Sequence, residues 1–228
     1  MERPGLVIFD CDGVLVDTEP VVQRVLSDWV SHHGWEMTPE ESAVTLKGSH
    51  ISLIQTEAER RLGRALPGFI EGYRARMFAA FEAGIDEIPG AGSVLAVLDD
   101  AGVPYCVGSN GPHVKMDASL RSAGLLDRFG GSRGGRIFPA DDVGEPKPSP
   151  RLFLHAAERM GFDPASCVVI DDSPQGVLAA LAAGMGIIGY EDMTPAERLR
   201  GAGAEVVMTS LLELPALLGL PVPDADRI

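Results

Sequence analysis

The stretch Leu6-Val7-Ile8-Phe9-Asp10-Cys11-Asp12-Gly13-Val14 decides the reading of the whole chain. An apolar run, Leu6 to Phe9, breaks abruptly into two carboxylates and a glycine. Such a run reads as a short buried strand. Side chains alternate along a strand, so Asp10 and Asp12 are expected on the same side. Two carboxylates that close repel each other, and such a pair usually shares a proton or a metal ion. Gly13 tolerates positive φ and lets the chain leave at a sharp angle. Taken alone, Asp-x-Asp-Gly reads equally well as an acidic turn after an edge strand.

Two later apolar runs end in polar residues in the same way. Tyr105-Cys106-Val107-Gly108 leads into Ser109-Asn110-Gly111, and Val168-Val169-Ile170 leads into Asp171-Asp172. Further strands are expected at Arg136–Phe138, Gly186–Tyr190 and Glu205–Met208. Helical patterns lie between them: Ala91–Ala101, Pro112–Gly124, Arg151–Met160, one opened by Ser173 and Pro174, one opened by Thr194 and Pro195, and Leu211–Leu218. Serine or threonine before proline is an N-cap followed by a first helical residue. Strands alternating with helices imply an α/β fold, a Rossmann-like parallel sheet with helices on both faces. In such folds ligands bind beyond the carboxyl ends of the strands. Asp10, Ser109 and Asp171 each stand at one.

From Thr18 to Gly84 the pattern is helical only. Val21, Val22, Val25, Leu26, Trp29 and Val30 share one helical face. Thr38 with Glu41, and Pro39 between, make a capping box. Ile51 to Leu62 and Ile70 to Phe81 carry the 3–4 spacing of buried stripes. Residues 18–84 are therefore expected to form an inserted α-helical domain with its own core. The catalytic core is expected from 1–17 and 85–228. His32 and His33, adjacent on a helix, are expected to point apart and to hold no metal.

The 228 residues carry 45% hydrophobic side chains, ordinary for a globular protein. Lys and Arg number 19 against 33 Asp and Glu, a net charge of −14. That argues against nucleic acid and against an anionic membrane surface as partners. A small anionic substrate stays open, because a local lysine or metal inverts the field inside a cleft. Cys11, Cys106 and Cys167 offer neither a disulfide framework nor a zinc pattern. They fit a reducing cytosol, with Cys11 as packing. Met1-Glu2-Arg3-Pro4 runs straight into the first strand and leaves no room for a signal peptide, so a cytoplasmic protein is expected.

Three strand ends thus supply Asp10, Asp12, Asp171 and Asp172, with the Ser109 hydroxyl and the Asn110 amide. Four carboxylates in one cleft call for a hard cation such as Mg²⁺, which usually works with a phosphate. Ser109, Asn110 and the helix start near Pro112 form an anion site. Lys147, between Pro146 and Pro148, is either a fixed charge for a phosphate oxygen or a solvated lysine in a proline-rich loop.

Four motifs in order now stand out: Asp10-Cys11-Asp12-Gly13-Val14, Ser109-Asn110, Lys147-Pro148 and Asp171-Asp172-Ser173. In these the chain resembles the haloacid dehalogenase superfamily, over nearly its whole length. The helical insert resembles that family's small cap. The resemblance implies Asp10 as nucleophile, forming an aspartyl-phosphate, and Asp12 as general acid and then base. It implies Ser109, Asn110 and Lys147 around the phosphoryl group. Mg²⁺ would be held by the Asp10 carboxylate, the Asp12 main-chain oxygen and Asp172, with Asp171 helping. Members acting on halides or phosphonates generally lack an acid at the place of Asp12, so its presence favours phosphate esters. Thr45-Leu46-Lys47-Gly48 resembles the β-phosphoglucomutase branch. Pro20-Val21-Val22 and Ser49-His50-Ile51 depart from it, where that branch carries a histidine and an arginine. Ser109-Asn110-Gly111-Pro112 with Lys115-Met116 is more similar to bacterial sugar-phosphate phosphatases. The expectation is a Mg²⁺-dependent phosphatase of small sugar or sugar-acid phosphates, with Lys47, Gly48 and His50 of the cap touching substrate. His113 and Lys115 either reach the substrate's far end or are solvated. The alternatives are an intramolecular phosphomutase and a non-catalytic binding protein on the same scaffold.

Overall fold

Six short strands pair in parallel to make one sheet: β1 (Leu6–Phe9), β2 (Tyr105–Ser109), β3 (Ile137–Pro139), β4 (Cys167–Asp171), β5 (Gly186–Tyr190) and β6 (Val206–Met208). The structure, a computed structural model, describes residues 3–46, 49–131, 135–192 and 194–221. Strand order is β3-β2-β1-β4-β5-β6. The chain thus winds outward from β1 in one direction and then, from β4, in the other. This is a doubly wound α/β sheet whose switch point lies between β1 and β4.

Both faces of the central strands are covered. Leu6, Ile8, Cys106, Cys167 and Val169 pack on one side with Leu152, Phe153, Ala156, Val177 and Ala180. The alternate residues Val7, Phe9, Tyr105, Val107 and Ile170 are buried on the other. Strands sealed on both faces read as unbroken apolar runs, which is why β1, β2 and β4 were visible as such.

The chain divides into two compact units, Met1–Asp17 with Asp86–Ile228, and Thr18–Ile85. In the first unit the exit and return of the chain are tied together: Asp17 N–H donates to the Asp86 carbonyl at 2.9 Å, and Val16 bridges to Glu87. This unit also holds α5 (Ala91–Ala101), α6 (His113–Ser122), α7 (Arg151–Met160), α8 (Pro174–Ala182), α9 (Ala196–Gly201) and α10 (Leu214–Leu217). Among its described residues the second unit holds helices and no strand: α1 (Glu19–His32), α2 (Pro39–Thr45), α3 (Ile51–Leu62) and α4 (Phe69–Ala83). Its apolar cluster gathers Leu26, Trp29, Val30, Trp35, Leu46, Ile54, Ala58, Leu66 and Phe69. The Thr38 capping box is formed, with both reciprocal bonds present.

Four local expectations change. Pro112 caps α6 from outside and does not open it. Pro195, not Thr194, is the N-cap of α9, and Glu191 Oε1 accepts the Ala196 N–H there at 3.0 Å. The last helix is broken into a 3₁₀ turn, Leu211–Glu213, and α10, because Ser210 and Glu213 close their own capping box there. His32 and His33 do not point apart. The helix ends at His32, so helical spacing does not govern His33, and both rings gather on Trp29 with centroids 5.3 Å from each other.

Candidate active site

β2, β1 and β4 are neighbours, and their carboxyl ends carry the site. Asp10 follows β1 directly, Ser109 is the last residue of β2 and Asp171 the last of β4. The register Phe9↔Val107 and Phe9↔Ile170 brings Asp10 level with Asp171 and within one residue of Ser109. β1 stops at Phe9, so strand alternation does not place Asp12. A tight loop does: Leu15 and Val16 N–H groups donate to the Cys11 carbonyl, and Gly13 N–H to that of Val16. Gly13 has φ 78°, and a Cβ there would stand 2.7 Å from Asp172 Oδ2. Glycine is needed at this point both for its backbone and for its emptiness.

Lys147 comes from the loop between β3 and α7 and is buried, its side chain 4% exposed. Its ammonium donates to Asp10 Oδ1 at 2.7 Å and to Asp171 Oδ2 at 2.8 Å. Burial works against that charge, but the two carboxylates outweigh it and hold the ammonium well above its ordinary value. The solvated alternative for this lysine does not hold. The Asn110 side chain pins the Lys147 backbone: Oδ1 accepts its N–H at 2.8 Å, and Nδ2 faces its carbonyl at 3.5 Å. The amide expected to face a phosphoryl group is thus engaged with the lysine's main chain.

Asp172 extends the cluster. One carboxylate oxygen from each of Asp10, Asp171 and Asp172 lies within 4.8 Å of the others, a metal-sized grouping among the described residues. Burial, with the charges of Asp10 and Asp171, pushes the Asp172 carboxyl up to about 8. Burial, with the charges of Asp171 and Asp12, pushes Asp10 up to about 6 against the pull of Lys147. One ammonium does not compensate three converging carboxylates. A hard divalent cation does, and three carboxylates are the donor set such an ion takes. The residues therefore fit the implied metal.

Asp12 faces a different partner. Its Oδ2 accepts from Lys115 Nζ at 2.6 Å, while its Oδ1 is buried with no hydrogen-bond partner. Burial opposes the charge on Lys115, yet the Asp12 carboxylate prevails and raises the ammonium above its ordinary value. Ser109 is 3% exposed and accepts the Gly111 N–H at 3.2 Å. Cys11 is fully buried and its thiol is pushed far up by burial and the flanking acids, which suits packing and not reactivity.

The sequence marks Ser173 as a cap and as the end of the Asp171-Asp172-Ser173 motif, without showing what it bonds. Ser173 caps α8 through Gly176 N–H at 3.0 Å, and its hydroxyl and N–H also donate to Asp171 Oδ1 at 2.6 and 2.9 Å. The side chain that starts the helix thus also orients the acid before it. In the helical unit, His50 is exposed and caps the helix Ile51–Leu62, its Nδ1 accepting from Ser52 N–H at 3.3 Å. Lys47 and Gly48 lie outside the described residues.

Comparison with known proteins adds to this geometry. A family model described as haloacid dehalogenase-like hydrolase matches residues 4–184. The chain is 32% identical to a 6-phosphogluconate phosphatase of Escherichia coli (strain K12) over 189 residues, 81% of each chain. It is 32% identical to hexitol phosphatase A of the same organism over 215 residues, 91% of each. Among solved structures it is similar to a HAD family hydrolase from Deinococcus radiodurans R1 with bound phosphate and sodium. The TM-score is 0.82 at 32% identity, covering 98% of this chain and all of that one.

Proposed function

The chain belongs to the haloacid dehalogenase-like hydrolases, and we propose that it is a Mg²⁺-dependent phosphatase of small sugar or sugar-acid phosphates. The observation that carries this reading is the buried ion-paired group Asp10–Lys147–Asp171, with Asp172 beside it, at the carboxyl ends of β1 and β4. Phosphoryl transfer asks mainly for alignment and charge neutralisation, and this group is built for both.

In the proposed reaction an Asp10 oxygen forms a bond to phosphorus while the bond from phosphorus to the leaving oxygen breaks. Asp12 gives its proton to that oxygen. The aspartyl-phosphate is then cleaved by water, whose proton returns to Asp12 as the bond from Asp10 to phosphorus breaks. Inorganic phosphate leaves, and Asp10 is restored. Lys147 and Ser109 hold the transferring oxygens, and Asn110 keeps Lys147 in place. The Asp10, Asp171 and Asp172 carboxylates would hold Mg²⁺, with the Asp12 main-chain oxygen as the family pattern implies. That ion would supply positive charge against the phosphoryl oxygens.

A sugar-type substrate is supported by the 6-phosphogluconate and hexitol phosphatases among the relatives. Pro20-Val21-Val22, in place of the mutase branch's histidine, speaks for hydrolysis over mutation. The described residues contain no helix long and apolar enough to cross a membrane, and the three cysteines are free and buried. A cytoplasmic setting is proposed on that basis.

The test is direct. D10N is expected to abolish hydrolysis of 4-nitrophenyl phosphate, EDTA to silence the wild type and Mg²⁺ to restore it, with sugar phosphates giving free phosphate. Full activity of D10N, or in EDTA, overturns the proposed roles. An isomeric sugar phosphate as the product would establish the mutase instead.

A further inference from the structure

We propose that Lys115 is the positioning residue of the proton-transferring carboxylate: it anchors Asp12 Oδ2 and so leaves Oδ1 as the atom that meets the leaving oxygen. The inference rests on the phosphatase reading above, in which Asp12 protonates that oxygen.

The geometry is specific. Lys115 lies in the first turn of α6, 103 residues from Asp12 in the chain, and its ammonium contacts only one of the two carboxylate oxygens named here, Oδ2 at 2.6 Å. The other oxygen, Oδ1, is buried and has no hydrogen-bond partner. A buried carboxylate oxygen without a donor is costly unless something else meets it. A leaving oxygen, or the water that later attacks, is a natural counterpart. The pair also sits where the reaction takes place. A Cβ on Gly111 would lie 3.6 Å from Lys115 Cδ, 3.7 Å from Ser109 Oγ and 3.8 Å from Asp12 Oδ2. The lysine, the acid and the proposed phosphoryl-binding hydroxyl therefore converge on one point.

Stability does not explain such a pair. Each side chain is about a quarter exposed (27% and 28%), where an ion pair contributes little to folding. Its effect is geometric. The two oxygens of a carboxylate are equivalent and exchange by rotation about the last side-chain bond. One ammonium at fixed distance removes that equivalence and holds the other oxygen on its target. Loss of such alignment in proton transfer reduces rate by about 100-fold or more.

The consequence depends on the leaving group. In the first transfer the electron pair of the breaking bond goes to the leaving oxygen, and Asp12 neutralises it with a proton. A strongly basic oxygen needs that proton and a weakly basic one does not. The experiment compares kcat/KM for phenyl phosphate, whose leaving group has a pKa of about 10 like tyrosine's, with that for 2,4-dinitrophenyl phosphate. K115M is expected to lower the first about 100-fold and the second by less than about 3-fold. K115R, which keeps a cation within reach, is expected to recover at least about tenfold of the loss on phenyl phosphate. The ratio of two rates from one preparation does not depend on how much of the variant is folded. An unchanged ratio in K115M, an equal loss on both esters, or no recovery in K115R overturns the role. A wild type that hydrolyses neither ester overturns the phosphatase reading itself, whereas an active wild type with an unchanged K115M ratio overturns only the assignment of Lys115.

Discussion

Asp172 and Asp10 are acids that the fold makes reluctant to ionise, raised from an ordinary 3.8 to about 8 and about 6. Between those limits the folded protein keeps protons that the unfolded chain has released. Stability of the metal-free protein therefore falls as pH rises from about 4 through 6 to about 8. A bound divalent cation takes over the protons' part and flattens that fall. Melting curves in EDTA and in Mg²⁺ at pH 5 and pH 8 check this: the cation should raise Tm more at pH 8. An equal rise at both values would mean that the ion binds elsewhere. At this scale much of the candidate site was legible in the sequence. Asp10, Ser109 and Asp171 could be found because each follows an apolar run directly, and Asp172 because it stands next to Asp171. Lys147 could not be placed from its surroundings alone. A lysine between prolines looks like surface, and its partners Asp10 and Asp171 stand 137 and 24 residues away. The same distance problem concealed the hold of Lys115 on Asp12 and of Asn110 on the Lys147 backbone.

β4 and α8 act as one element for the site, because the last residue of the strand is bonded to the first turn of the helix. Ser173 serves both, and Gly176 leaves room for the result. A Cβ on Gly176 would stand 1.9 Å from both Cγ and Oδ2 of Asp171. No rotation of a flexible tip relieves that, since Asp171 is fully buried and held by Lys147 and Ser173. G176A should therefore lower stability by about 1–3 kcal/mol or more and displace the acid, with activity falling by about 100-fold. Urea denaturation and phosphate release measure the two effects. G201A is the control: its Cβ meets nothing within 4 Å, and it should leave stability within about 0.5 kcal/mol. Wild-type activity in G176A would show that Asp171 can move without consequence. Helix limits were legible wherever a local rule had no rival, as at Ser173-Pro174 and Thr38-Pro39. The rule misled at Thr194, where the carboxylate of Glu191 supplies the cap, and at Leu211, where Ser210 and Glu213 close a separate turn. A three-residue signal does not reveal a competing side chain nearby.

At the scale of the molecule, alternating strands and helices made a parallel sheet legible, but not the order β3-β2-β1-β4-β5-β6. Every apolar strand resembles every other, and only folding decides which lies beside which. That order is what gathers β1, β2 and β4 and hence the acids. It leaves the described residues of Thr18–Ile85 outside the sheet. The apolar cluster of this unit shares no member with that beneath the sheet. All the proposed metal ligands lie in the other unit, so cation binding is expected to stabilise that unit. The sequence supplies a reporter, since both tryptophans, Trp29 and Trp35, are buried in the helical unit. A unit of roughly 70 residues is marginal by itself and should unfold first. In urea, then, tryptophan emission should change before most of the far-ultraviolet dichroism is lost. Mg²⁺ at about 100 times its Kd adds about 2.7 kcal/mol to the state that binds it, which moves the main dichroism midpoint by about 1 M or more. The tryptophan midpoint should stay where it is. If both midpoints shift together, the cation is felt in both cores, and the protein unfolds as one cooperative body instead of two.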